Sequence, residues 1–100
     1  MEKEIFLPLL NTEFRVLVEG FDPLPLKLVE VSDLERISGR EIRRGKRGFS
    51  LLFGSSRAFF LPQSIYRFEH EALGIFELFI VPVHPDDDQT YAYEAIFNFV

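Results

Sequence analysis

The chain reads as an all-β protein, mainly antiparallel: a small barrel or sandwich of six to seven strands with one short helical turn. Three observations predict this. The C-terminal third holds two apolar, alternating runs, GIFELFIVPV and YAYEAIFNFV, on either side of the polar stretch HPDDDQT, the pattern of a β-hairpin. Further alternating runs recur about every eight to fifteen residues, with Gly, Pro and Ser between them. Twelve phenylalanines and no tryptophan supply aromatic bulk without a polar handle, suited to a core or a subunit contact.

The elements follow in order. Residues 5–10 form a short apolar lead-in, and Pro8 argues against a long helix there. Phe14, Val16 and Val18 alternate with Glu13, Arg15 and Leu17, a first strand. Gly20 and Pro23 punctuate a turn, and residues 26–31 are a second strand bounded by Pro25. Ser32 followed by Glu35 matches a capping box, which predicts one helical turn at 33–38 that stops near Gly39. The stretch 40–47 is read as a loop. A third strand, 49–53, puts Phe49, Leu51 and Phe53 on one face. Gly54-Ser55-Ser56 is read as a turn, and 59–61 as its continuation or a short extra strand ended by Pro62. Residues 65–70 alternate Tyr66, Phe68 and His70 against Ile65, Arg67 and Glu69. The strand from Gly74 to Val83 is apolar on both faces, which predicts that it is central or covered. The last strand runs from Thr90 to about Phe99; at an edge it would be open to pairing with another copy.

One hundred residues, 47% of them apolar, are expected to form a single domain, 1–100. The absence of cysteine excludes disulfides, thiolate metal sites and cysteine nucleophiles. The acidic-first opening MEKE and the Pro8-interrupted apolar stretch support neither a signal peptide nor a membrane span, so the expected compartment is the cytoplasm, with leaderless export left open.

Charge is unevenly laid out. The net charge of −5 disfavours nucleic acid as a partner. Eight bases and one acid fall within 36–68, whereas 69–100 holds seven acids and no Lys or Arg. The basic peak is Arg40, Arg43, Arg44, Lys46 and Arg47. It reads either as solvated surface balanced by acidic neighbours or as a docking loop for an acidic partner, including another copy of this chain.

Chemical motifs fail on spacing. The stretch from Gly39 to Lys46 puts five residues between its glycines instead of four, and Arg47 stands where a phosphate loop needs Ser or Thr. His70-Glu71 lacks the second histidine of a zinc-protease helix, since position 74 is Gly. His84 with Asp86, Asp87 and Asp88 has too few oxygen ligands for a calcium loop. Ser55 and Ser56 do not sit in a nucleophile elbow. No metal, cofactor or catalytic residue is therefore nominated. Three polar residues in apolar strands are noted as candidates for burial: Glu77, Glu94 and His70. For the two glutamates the expectation is a strand position facing solvent or a buried pair with Arg67 or Arg57, and for His70 a hydrogen-bonded, half-buried strand position.

The segments FSLLFG (49–54), QSIY (63–66) with His70 and Gly74, and FIVPV (79–83) with YEAIFN (93–98) resemble an uncharacterised bacterial family of short all-β proteins, a domain of unknown function. LVEV (28–31) fits the earlier part of the pattern, and Ser64 stands where the family has Gly. The resemblance implies no activity or cofactor. It implies a neighbourhood of phage-tail-like fibre or collar proteins, and so a part in assembly. The functional expectation is a non-enzymatic structural or protein-binding module, an assembly factor or subunit of a tail-like or surface appendage. It would act through a protein partner or self-association as a homo-oligomer, with no membrane. The alternative is a small-molecule-binding β-barrel with its ligand in the barrel mouth. An enzyme using Glu77, Glu94 or His70 ranks third.

Overall fold

The computed structural model describes residues 1–33, 48–56, 58–84 and 90–97. Among these, a single helical turn, α1 (Lys3–Phe6), runs into a 3₁₀ turn (Leu7–Leu9) and precedes six strands: β1 (Glu13–Leu17), β2 (Leu24–Asp33), β3 (Phe49–Ser56), β4 (Ser64–His70), β5 (Gly74–Val83) and β6 (Thr90–Phe97). Pro8 falls at the start of the 3₁₀ turn, where its missing N–H costs nothing.

The strands close into an antiparallel barrel in the order β1-β2-β3-β6-β5-β4. It is built from two three-stranded meanders, β1–β3 and β4–β6, joined along two seams. One seam pairs β3 with β6 in unbroken register from Phe49–Phe97 to Ser56–Thr90. The other pairs β1 with β4, Val16 opposite Phe68. Closure leaves the sheet no free edge: β6 lies between β3 and β5, so the condition for edge pairing by the last strand is not met.

Alternation decides what fills the barrel. Phe14 and Val16 of β1, Leu26 and Leu28 of β2, Phe49, Leu51 and Phe53 of β3, Phe68 of β4, Leu78 and Ile80 of β5 and Tyr93 and Ala95 of β6 are buried together. The rings interlock: Phe53 lies 5.2 Å from Phe14 and 5.4 Å from Phe68 between centroids. Phe6, at the end of α1, plugs one barrel end against Phe14, Phe49, Phe76 and Phe97. Leu61 packs at the opposite end, its backbone N–H donating to the Tyr93 hydroxyl at 3.0 Å. Burial raises the Tyr93 hydroxyl pKa, and that backbone bond partly offsets the rise.

The structure departs from the sequence reading at several places. Ser32 and Asp33 belong to β2, and Ser32 donates its hydroxyl hydrogen bond to the Glu30 carboxylate at 2.6 Å instead of capping a helix; the rest of the expected helical turn lies outside the described residues. Gly54-Ser55-Ser56 continues β3 opposite Ala92, Tyr91 and Thr90, since small residues serve a strand as well as a turn when the outer face is left unfilled. Residues 59–61 are not a strand; they cross the barrel end between the two meanders. The observed helical turn is at the N-terminus, where Phe6 needs one turn to reach the barrel.

β2 also starts earlier than read: Leu24 and Pro25 belong to it, opposite Val16 and Arg15, so Pro25 lies inside the strand and does not bound it. The expected end of the last strand near Phe99 lies outside the described residues. Gly74 opens β5 with φ +74°, closing a three-residue hairpin loop in the left-handed conformation that glycine adopts freely.

Candidate functional site

The nominated polar residues are not brought together. His70 is 6% exposed and turns into the barrel wall, its ring 4.3 Å from that of Phe14. The Ala72 N–H donates to His70 Nδ1 at 2.9 Å, so Nδ1 is an acceptor and the proton sits on Nε2. Nε2 then donates to Thr12 Oγ1 at 2.9 Å, and Thr12 donates onward to the Leu9 carbonyl at 2.6 Å. This relay ties β4 to the segment before β1 across 58 positions of sequence. Burial lowers the His70 pKa; Glu71 opposes that shift and Arg15 adds to it. The imidazole is thus held neutral as a structural strut, in line with the hydrogen-bonded position expected for it.

Glu77 is exposed, so its candidacy for burial fails and the solvent-facing alternative holds. Leu78 and Ile80 of β5 face the interior, and its Ile75-Glu77-Phe79 face is the outer one. Glu77 stands there directly across from Arg67, the neighbour the sequence suggested. Glu94 is half-buried on the outer side of β6, between Leu52 of β3 and Val81 of β5. Arg40, Arg43, Arg44, Lys46, Arg47 and Arg57 lie outside the described residues, as do Asp86, Asp87 and Asp88. Among the described residues, no group of His, Asp and Glu side chains is arranged to hold a metal, and no helix is long and apolar enough to cross a membrane.

What the structure does assemble is an apolar outer face. Ile65 of β4 is 61% exposed and sits directly opposite Phe79 of β5, which is 49% exposed. Ile96 of β6, 53% exposed, lies two residues beyond Glu94 on the same outward side, and Ile75 of β5 is 54% exposed. The next row down is the Arg67–Glu77 pair, followed by Glu69, which accepts from Arg15 Nε at 3.1 Å. Large apolar side chains exposed on one sheet face, with a charged row beside them, are the usual mark of a contact surface. The sequence signal was present: β5 is apolar on both faces, and only one can face the barrel interior.

A closed antiparallel barrel with a ring-filled interior and an apolar outer face is the class of protein these features define. Residues 1–97 match the family described as domain of unknown function DUF6916, and the chain belongs to that family. Comparison with curated proteins and with solved structures finds no match.

Proposed function

We propose that the protein is a non-enzymatic structural module that self-associates through the outer face of β4 and β5, as a subunit or assembly factor of a tail-like or surface appendage. The observation that carries this reading is the Ile65–Phe79 pair beside the Arg67–Glu77 pair. A two-fold axis running along the strands, between β4 and β5, lays Ile65 of one copy over Phe79 of the other. The same axis lays Arg67 over the second copy's Glu77, so the face is complementary to itself in shape and charge. Every contact then occurs twice. The barrel interior supports a structural role as well: interlocked phenylalanine rings occupy the space that a ligand in the barrel mouth would need.

Sedimentation equilibrium across a concentration series tests the proposal. Dimers are expected, with Phe79→Lys weakening association by about a hundredfold or more, the effect of burying two unpaired charges. Arg67→Glu and Glu77→Arg are each expected to weaken it about tenfold, and the double reversal to restore it. A protein that stays monomeric throughout, or dimers indifferent to Phe79→Lys, would overturn it.

A further inference from the structure

A second feature lies on the outer side of β2, β3 and β6, near the opposite end of β6 from Ile96. Three irregularities coincide there. Between Leu28 and Glu30 the register of β2 slips against β3, so Val29 is the extra residue of a β-bulge, its side chain pointing outward and 43% exposed. Across from the bulge, β3 carries Gly54 in mid-strand. Opposite Gly54, β6 carries Ala92. Together they leave a hollow of about 410 Å³ with Val29, Leu52, Gly54 and Ala92 on its floor and Lys27 and His84 on its rim. That is within the range of small-molecule sites.

Gly54 is not there for the backbone's sake. Its φ is outside the left-handed region, and the nearest atom to an added Cβ would be Val29 Cγ1 at an ordinary 3.7 Å. A side chain would fit, and glycine weakens a strand. What its absence of side chain provides is the empty floor. Bulges likewise re-aim side chains beside binding sites.

The charge on the rim selects the ligand. Lys27 borders this hollow and a second one of about 400 Å³ that adjoins it through Gly54, Ser55 and Ser56. Glu13, across from Lys27 in the β1–β2 register, is engaged by Arg15 at 3.6 Å, and among the described residues no carboxylate closes on the Lys27 ammonium. We infer that the hollow binds a small organic acid: an apolar body on the Val29–Gly54–Ala92 floor, its carboxylate on Lys27, with His84 offering a second hydrogen-bonding group. The inference is independent of self-association, which uses another face.

Amide-resolved NMR titration with phenylacetate and with 2-phenylethanol, which shares its apolar body, tests it. Saturable shifts at Gly54, Leu52 and Ala92 are expected, with the acid bound about tenfold more tightly than the alcohol. Lys27→Met, a surface change that leaves the barrel intact, should bring the acid down to the alcohol's affinity. Gly54→Leu should abolish both responses while the amides of the barrel interior keep their positions. No saturable response at these residues, equal affinity for acid and alcohol, or binding unchanged in Lys27→Met would overturn it.

Discussion

The two faces of the β4–β5 hairpin carry similar side chains and meet opposite fates. Inward, Phe68, Leu78 and Ile80 are buried among rings. Outward, Ile65, Ile75 and Phe79 stand about half exposed or more. Six strands closing on one interior need only one apolar face from each. The second apolar face of this hairpin lies outside the core, and its charges are set in register beside it. On the proposed self-association, folding and association are encoded on alternate residues of the same two strands. A substitution can be aimed at one without touching the other.

That separation can be broken most forcefully from inside. Phe53→Ala removes a fully buried ring from the middle of the cluster. It should cost about 3–5 kcal/mol, read as a lower denaturant midpoint in urea. Next comes the His70 relay. Thr12→Val leaves the Nε2–H without its acceptor and should cost about 1–3 kcal/mol. The same group gives a pH signature. Because burial lowers its folded pKa, the unfolded chain takes up the proton first. Its stabilising contribution is complete above about pH 6.5, the unfolded value, and is lost as pH falls toward the folded one. Urea midpoints should therefore decline as pH falls below about 6.5, and His70→Gln should flatten that decline. The smallest effect on stability belongs to the outer face: Phe79→Ser should move the unfolding free energy of the monomer by no more than about 0.5 kcal/mol. A large loss there would mean that the outer face helps hold the barrel together, and the division between the two faces would fail.

Much of this barrel was legible in its residues. The span of β5 follows from Gly74 and the run to Val83, and the inward sets Phe49-Leu51-Phe53 and Tyr66-Phe68-His70 follow from period-two alternation. Alternation also separates the two faces of β5, but it does not say which one is turned to solvent, so the sequence alone leaves Glu77 between a solvent-facing position and a buried pair, and only barrel closure decides it. Ser55 and Ser56 misled because Gly-Ser-Ser is turn chemistry anywhere except over a hollow. The His70 strut joins residues 58 positions apart, and only the seam between β1 and β4 brings them together. The site on the outer face of β4–β5 was half visible, in the double apolarity of β5. The bulge at Val29 was invisible, because a one-residue slip is set by the partner strand and leaves no mark in composition.

The duplicated meander has a consequence for how the chain reaches its native state. Neither three-stranded half can bury its own rings, and the two seams that join them are non-local; the Arg15–Glu69 bond alone spans 54 positions. Local hairpins can form early, but the core is sealed only when both distant pairings are in place, the topology of a slow folder. A chain cut between β3 and β4 would still hold every hairpin of each half and both faces of each seam. The barrel is thus a natural template for fragment complementation, in which two inert pieces report their meeting by regaining a shared core.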